Sequence, residues 1–266
     1  MFTTVNALGL HAQVTGSGHP LILLHGLTGG IDTWRLQIPA LSKETQVIAI
    51  DSRGFGGSET TDLEYSIEDL ADDVIQLMDH LSLEKASIMG LSMGGGIAQR
   101  LALDHPDRIV AIVLASTSSA FPVALRDRFL RDALVAESDG MQSLSDTLTE
   151  RWLSPDYQAR YPRETAELRR ELSRIDPKLF AIRCRANASR DFTSHLPEIT
   201  CPTLFIGGSK ERESEDSAEE YKKMLPNCEV RLIEGASHFI HQEQATEFNR
   251  AVIEFLGRNG LLRDSA

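Results

Sequence analysis

Cysteine is scarce in this chain of 266 residues. The three present, Cys184, Cys201 and Cys228, are an odd number with no metal-ligand spacing. That excludes a disulfide framework or a structural zinc site as the organiser of the fold, and leaves buried or free thiols in a reducing compartment as the expectation. Long apolar runs are lacking too. None approaches the roughly 20 residues that cross a bilayer. The opening stretch, MFTTVNALGLHAQVTGSG, has no basic start, no long apolar stretch and no small-residue cleavage site, so a signal peptide is not expected and a cytoplasmic location is. Positive charge is in deficit: 27 Lys and Arg against 39 Asp and Glu give a net −12. Nucleic acid and anionic membrane surfaces are therefore not the expected partners. Repeats and low-complexity linkers are missing. No His, Cys, Asp or Glu grouping has metal spacing, and neither a metal nor a cofactor is expected.

What remains is an ordinary globular composition, with 41% hydrophobic and 25% charged residues, long enough for one large domain or one domain carrying an insertion. The first half alternates strand and helix signals. FTTVN and LHAQVT flank a short turn and read as a hairpin. LILL (21–24), VIAI (47–50), ASIM (86–89) and IVAIVLAS (109–116) are short apolar runs bounded by Gly, Asp or Ser, as strands buried on both faces of a parallel sheet should be. SIEDLADDVIQLMDHL (66–81) repeats apolar residues at helical spacing, and Ser66 with Asp69 resembles a capping box. GGGIAQRLALDHP (94–106) reads as a second helix stopped before Pro106. TLFIG (203–207) and EVRLI (229–233) resume the strands, and EQATEFNRAVIEFLGR (243–258) is a closing helix. Such alternation implies a doubly wound α/β domain. Residues 117 to about 197 break the rhythm with four helical stretches. The expected organisation is a core of residues 1–119 and 197–266, with a helical cap at 120–196 inserted after the sixth core strand.

Charge follows the same division. Residues 122–195 hold 13 basic and 12 acidic side chains, leaving 14 basic and 27 acidic for the remainder. Twelve of the 21 arginines lie in that middle segment. Solvated helix faces account for this; a sharper reading is an anionic substrate passing beneath.

In open α/β sheets ligands bind outside the carboxyl ends of the strands. LILL is followed there by His25-Gly26-Leu27, VIAI by Asp51-Ser52-Arg53-Gly54, ASIM by Gly90-Leu91-Ser92-Met93-Gly94, TLFIG by an acidic loop, and EVRLI by EGASHF. Strand, G-x-S-x-G, helix is the setting of a nucleophile elbow. It places the Ser92 hydroxyl at the positive end of a new helix. The Met93 N–H supplies one oxyanion donor and the Leu27 N–H the other. A serine needs a base, and His238 lies in a late loop directly after a strand, as the order serine, acid, histidine requires. His241 is its rival. His25 reads as a structural donor that shapes the oxyanion loop. As a lone motif the elbow would carry little weight, because a serine among glycines is more often only a turn residue.

These residues are similar to a known family. LLHGLTGG, DSRGFGGS, YSIEDLADDVIQLMDHL, GLSMGGGIAQRLALDHPDRI, RWLSP and EGASHF resemble the α/β-hydrolase superfamily over essentially the whole chain. Within it the chain is most similar to the group of 3-oxoadipate enol-lactonases, small esterases and cofactor-free haloperoxidases. The resemblance implies an eight-stranded, mostly parallel sheet with helices on both faces. It also implies covalent hydrolysis of an ester or lactone by a catalytic set of Ser92, His238 and an acid. The family's acid is an aspartate three residues after the glycine ending the seventh core strand. Here the third residue after Gly208 is Glu211, one methylene longer. Glu213 and Asp216 are alternatives, and with Glu215 they also read as a plain solvated acidic loop. The position after the sixth strand, Ser116-Thr117, offers no carboxylate. Substrates of this group carry a carboxylate, for which Arg183, Arg185 and Arg190 are candidates. Trp152, Phe129 and Phe180 either line the pocket or pack the core, with packing expected for at least two.

The resemblance admits rivals on the same fold. Carbon–carbon bond hydrolases usually show Asn where Leu91 stands and Trp where Phe239 stands. Lyases and non-turnover ligand receptors share the architecture as well, since fold alone does not decide function. The partner expected in every case is a small molecule, anionic in the lactonase case. Oligomeric state has no sequence signal.

Overall fold

Period-two burial builds the centre of the molecule. The computed structural model describes residues 2–5, 8–60 and 63–263. Eight strands form one sheet: β1 (Phe2–Val5), β2 (Leu8–Gly16), β3 (Pro20–Leu24), β4 (Gln46–Asp51), β5 (Ala86–Leu91), β6 (Ile109–Ala115), β7 (Thr203–Gly208) and β8 (Cys228–Ile233), in the order β1-β2-β4-β3-β5-β6-β7-β8. β1 and β2 form the expected antiparallel hairpin and β2 runs antiparallel to β4; the other neighbours are parallel. Asn6 and Ala7, where the sequence predicts the turn, lie outside the described residues. The runs read as doubly buried strands separate cleanly into two layers. Ile22, Leu24, Ile48, Ile50, Ile88, Ile112 and Leu114 enter one apolar cluster. Their odd-numbered neighbours Leu21, Leu23, Val47, Ala49, Met89, Leu91 and Val113 enter the other. A one-residue slip of any strand would exchange the two sets, so the pattern fixes the register.

Helices cover both faces. α1 (Ile38–Leu41) follows β3, α2 (Ile67–His80) follows β4 and α3 (Met93–Asp104) follows β5. α2 starts with the expected capping box: Asp69 N–H donates to Ser66 Oγ at 3.1 Å and Ser66 N–H to Asp69 Oδ2 at 2.7 Å. Between β6 and β7 come α4 (Val123–Asp139), α5 (Met141–Trp152), α6 (Pro155–Arg160), α7 (Pro162–Ser173) and α8 (Pro177–Ser189). The sequence pattern predicts four helical stretches here, and the fifth, α6, escapes it because that six-residue helix buries none of its residues and so has no apolar period. The segment leaves and re-enters the core at one place. Ala120 and Asp191 form an antiparallel bridge, and the Phe192 N–H donates to the Ser119 carbonyl at 3.2 Å. Leu144, Leu148, Phe180 and Ile182 from these helices belong to the same apolar cluster as Ile22 and Ile88. α9 (Arg212–Met224), α10 (Ile240–Glu243) and α11 (Ala245–Arg258) complete the chain. The predicted closing helix is interrupted at Gln244, whose φ of −131° and ψ of 49° are not helical. No helix among the described residues is long and apolar enough to cross a membrane.

The turn from β5 into α3 is the tightest crossing in the fold. A Cβ on Gly90 would stand 2.1 Å from the Gly94 carbonyl oxygen, and one on Gly94 would stand 2.2 Å from the Leu24 carbonyl oxygen. Both obstacles are backbone and cannot swing aside. Gly90→Ala is therefore expected to destabilise the protein by about 3 kcal/mol, the upper range for overpacking. Urea denaturation checks this, and an unchanged midpoint contradicts it.

Candidate active site

Ser92 stands between β5 and α3 with φ 54° and ψ −110°. A non-glycine backbone in this region is strained, by about 1–3 kcal/mol, and persists only where its surroundings hold it. Five bonds do so. Ser92 N–H donates to the Ala115 carbonyl at 2.8 Å, and the Ser92 carbonyl accepts from Gly95 N–H at 3.0 Å, Gly96 N–H at 3.3 Å, Thr117 Oγ1 at 2.6 Å and Arg190 Nη1 at 3.4 Å. The side chain makes no capping bond to α3. Ser92 is half-buried and lines both cavities described below.

Glu211 follows β7 and precedes the first turn of α9, its N–H donating to the Gly208 carbonyl at 3.1 Å. Its Oε1 is 2.5 Å from His238 Nδ1, and its Oε2 accepts from Ser214 Oγ at 2.5 Å. Both side chains of the pair are about 15% exposed. Burial pushes the Glu211 carboxyl up, but the His238 charge, the bond to it and the Ser214 hydroxyl outweigh this and hold it below the usual carboxylate range. Of the acidic residues weighed from the sequence, Glu211 is the one brought to His238. Glu213, Glu215 and Asp216 lie exposed on α9, and Glu213 reaches only Arg128, at 4.0 Å. The engaged Nδ1 leaves Nε2 as the ring nitrogen free for other work. Trp152 stacks on the His238 ring with centroids 6.2 Å apart at 30°.

Leu27 lines both cavities beside Ser92. The loop that carries it is shaped by His25, which is wholly buried. Ser52 N–H donates to His25 Nε2 at 3.0 Å, so that nitrogen is bare and the proton sits on Nδ1, facing the carbonyls of Gly26 at 3.0 Å and Thr28 at 3.2 Å. Burial, and then the Arg183 charge, lower the His25 pKa to about 3. Met93 opens α3, where first-turn N–H groups have no intrahelical acceptor. Asp51, buried after β4, accepts from Ile31 N–H at 2.6 Å, Gly57 N–H at 2.8 Å and His11 Nδ1 at 2.8 Å, and so ties together loops that wall the larger cavity.

Two cavities meet at Ser92, Leu27, Trp152 and His238, one of about 790 Å³ and one of about 340 Å³. Trp152 lines both and Phe129 lines the smaller, while Phe180 is fully buried. The expectation that at least two of these aromatics only pack the core is thus corrected: two reach a cavity wall while also packing against the core. Of the three candidate arginines, Arg185 is bound to Glu64 and Glu137 at the surface, and Arg183 is buried with Nη2 on the Gly26 carbonyl at 2.7 Å. Of the three, Arg190 is the one that lines either of these two cavities. His241 touches the larger cavity, but its ring is buried among Trp34, Phe239 and Phe248, and burial lowers its pKa to about 3. Ser214 was not anticipated. Its only sequence signal is a hydroxyl three residues after Glu211 at a helix start.

Neutral His25 and His241 make the fold sensitive to acid. Below pH 6.5 the unfolded chain takes up a proton at each ring, which the folded protein refuses until about pH 3. Stability from each is thus full above pH 6.5 and falls as pH drops through this window, by up to about 1.4 kcal/mol per pH unit. Imidazole NMR is expected to show His25 as the Nδ1–H tautomer, unchanged from pH 8 to pH 5. A ring that titrates in that range contradicts the assignment.

Comparison with known proteins places this geometry in a wider group. The family described as alpha/beta hydrolase fold matches residues 19–245. The chain is 29% identical over 233 residues to 3-oxoadipate enol-lactonase 2 of Acinetobacter baylyi, covering 87% of this chain and 86% of that protein. It superposes on the crystal structure of the enol-lactonase from Burkholderia xenovorans LB400 with a TM-score of 0.92 at 30% identity, covering 97% of this chain and 100% of that one. Over a shorter stretch of 114 residues, 41% of this chain and 40% of the other, it is 40% identical to 2-hydroxymuconate semialdehyde hydrolase of Pseudomonas sp. strain CF600. The match along most of its length, with the sheet and elbow described above, means that this chain belongs to the alpha/beta hydrolase fold family.

Proposed function

We propose that the protein hydrolyses carboxylic esters or lactones, with Ser92 as nucleophile, His238 as general base and acid, and Glu211 as the orienting carboxylate. The observation that carries this reading is the Glu211–His238 pair opening onto the same cavities as a strained, uncapped Ser92. In the first step His238 Nε2 takes the Ser92 Oγ proton as the oxygen attacks the substrate carbonyl. Negative charge develops on the carbonyl oxygen, where the Leu27 and Met93 N–H groups and the start of α3 are the donors. Glu211 keeps the His238 proton on Nδ1 and balances the imidazolium that forms. The tetrahedral species collapses, the C–O bond breaks, and His238 returns the proton to the leaving oxygen. Water, deprotonated by His238, then releases the acid. In an enol-lactone the leaving enol stays tethered to the acyl group until this second step and tautomerises to a ketone. An enol-lactone such as that of 3-oxoadipate is the substrate suggested by the relatives. Helices α4–α8, within residues 120–196, act in this reading as a cap that selects it.

A second reading, carbon–carbon bond hydrolysis, draws on the likeness to the semialdehyde hydrolase. Leu91 and Phe239 stand against it, because Asn and Trp are usual at these positions in that group.

The test is steady-state hydrolysis of p-nitrophenyl butyrate and of 3-oxoadipate enol-lactone. Ser92→Ala is expected to abolish turnover of whichever substrate is cleaved. Glu211→Gln keeps the shape but not the charge, and should lower kcat by about three to four orders of magnitude, the loss typical when a triad carboxylate becomes an amide. Activity that survives Ser92→Ala excludes the mechanism. Cleavage of a vinylogous 1,5-diketone in preference to both esters favours the second reading.

A further inference from the structure

The two peptide units proposed to hold the oxyanion share a feature on their far side. A trans peptide points its N–H and its C=O in opposite directions. The Leu27 N–H belongs to the same peptide as the Gly26 carbonyl, and the Met93 N–H to the same peptide as the Ser92 carbonyl. Each of those carbonyls accepts from an arginine of α8 or its C-terminal cap. Arg183 Nη2 donates to the Gly26 carbonyl at 2.7 Å, and Arg190 Nη1 to the Ser92 carbonyl at 3.4 Å. Arg190 also acts through Thr117: its Nη2 donates to Thr117 Oγ1 at 3.3 Å, and that hydroxyl donates to the Ser92 carbonyl at 2.6 Å. On the front of the first peptide, the Leu27 N–H makes no hydrogen bond among the described residues.

Both arginines are costly to keep. Arg183 is fully buried and Arg190 is 4% exposed. Among the described residues no carboxylate pairs with either. Each guanidinium instead rests on a phenyl ring, Arg183 on Phe55 with 4.5 Å to the centroid and Arg190 on Phe121 with 4.4 Å. Burial lowers the Arg190 pKa to about 10, so it remains charged near neutrality. The Arg183 charge is felt at His25, whose pKa it helps to depress. A buried cation without a counter-ion destabilises a fold. Here two of them stand behind the same two peptides.

We propose that Arg183 and Arg190 are positioning residues for the oxyanion donors: α8 holds one cation behind each donor peptide, fixing the direction of its N–H and polarising it toward the charge that develops in front. A guanidinium on the carbonyl withdraws electron density through the peptide, and hydrogen bonds in series strengthen one another. The same cations place positive potential behind the point where negative charge appears, with no reorganisation at the moment of reaction. The counter-charge they lack in the resting protein arrives with the oxyanion. The helices between β6 and β7 in this way contribute to rate as well as to substrate choice. This rests on the hydrolase reading of Ser92 and adds to it two groups that act through the backbone.

The experiment uses p-nitrophenyl butyrate, which offers no charge for an arginine to bind, and butylboronic acid, to which Ser92 Oγ adds to give a tetrahedral anion as His238 takes the hydroxyl proton. Arg183→Met and Arg190→Gln are each expected to lower kcat about tenfold with KM changed less than about twofold, a fraction of the roughly hundred- to thousandfold loss when an oxyanion donor is removed outright. Affinity for the boronic acid should fall by the same factor as kcat. Arg183→Lys keeps the charge and a donor, and should recover part of both. Arg185→Ala, on the same helix but with its charge spent at the surface on Glu64 and Glu137, should alter neither. Where the variants fail to fold, the wild type decides: the side-chain ¹⁵N resonances of Arg183 and Arg190 should move when the boronate adduct forms, and those of Arg185 should not. A rise in KM at constant kcat, a boronate affinity indifferent to both arginines, or guanidinium resonances that ignore the adduct overturns the proposal and leaves the hydrolase reading standing. If the wild type neither cleaves the ester nor binds the boronic acid, no oxyanion forms at Ser92 and both readings fall.

Discussion

The backbone of Ser92 is the constraint on which the rest of the site depends. Its φ of 54° is an unfavourable conformation for a serine, held in part by the Gly95 and Gly96 N–H groups on its carbonyl. The remaining bonds come from three separate parts of the chain. β6 supplies the Ala115 carbonyl for the Ser92 N–H, the loop after β6 supplies the Thr117 hydroxyl for the Ser92 carbonyl, and the segment after α8 supplies Arg190 for the same oxygen. The glycines on either side make room for this. Gly94 lets the elbow press against the backbone after β3, the strand that leads to Leu27. One strained residue thereby fixes the spacing between the start of α3 and the Leu27 loop, the two places proposed to supply the oxyanion donors.

The electrostatics around that point are arranged so that few groups titrate near neutrality. His25 and His241 are both buried and both held neutral. Glu211 stays ionised because His238 and Ser214 outweigh its burial. Asp51 is surrounded by donors, two of them backbone N–H groups. The consequence is chemical as well as structural. With its neighbours fixed in charge, the His238 ring has a carboxylate at Nδ1 and an unencumbered Nε2, the condition for moving one proton without a competing acceptor.

The sequence made some of this legible and hid the rest for physical reasons. Strands such as Leu21–Leu24 and Val47–Ile50 are readable because a doubly buried strand needs unbroken apolar character, and the turn residues after them mark their ends. The elbow is readable because its glycines and serine occupy five consecutive positions. Glu211 was legible only by counting from the end of β7, and its partner Ser214 only weakly, through a short-range spacing. Arg190 was one of three arginines with equal standing. What singles it out is contact with Ser92, Thr117 and Phe121, 69 to 98 residues away in the chain. The loops of Glu211 and His238 are joined in the same nonlocal way: the Ser209 hydroxyl accepts from Gly235 N–H at 3.0 Å.

The helices between β6 and β7 are also tied to His238 directly. The Phe239 N–H donates to the Trp152 carbonyl at 3.0 Å, and Trp152 stacks on both Phe239 and His238. Glu243 accepts from the Ser154 N–H at 3.1 Å and the Ser237 N–H at 3.3 Å, and also binds the Ser154 hydroxyl. Ser154 in turn caps α6, and Gln242 reaches the Tyr157 hydroxyl at 3.0 Å. The end of α5 and the start of α6 are thus bolted to the loop on both sides of His238. A rigid-body shift of this segment would carry the imidazole with it. The helices that wall the cavities and the loop that holds His238, the proposed base, are therefore joined by hydrogen bonds and ring stacking on both sides of the imidazole.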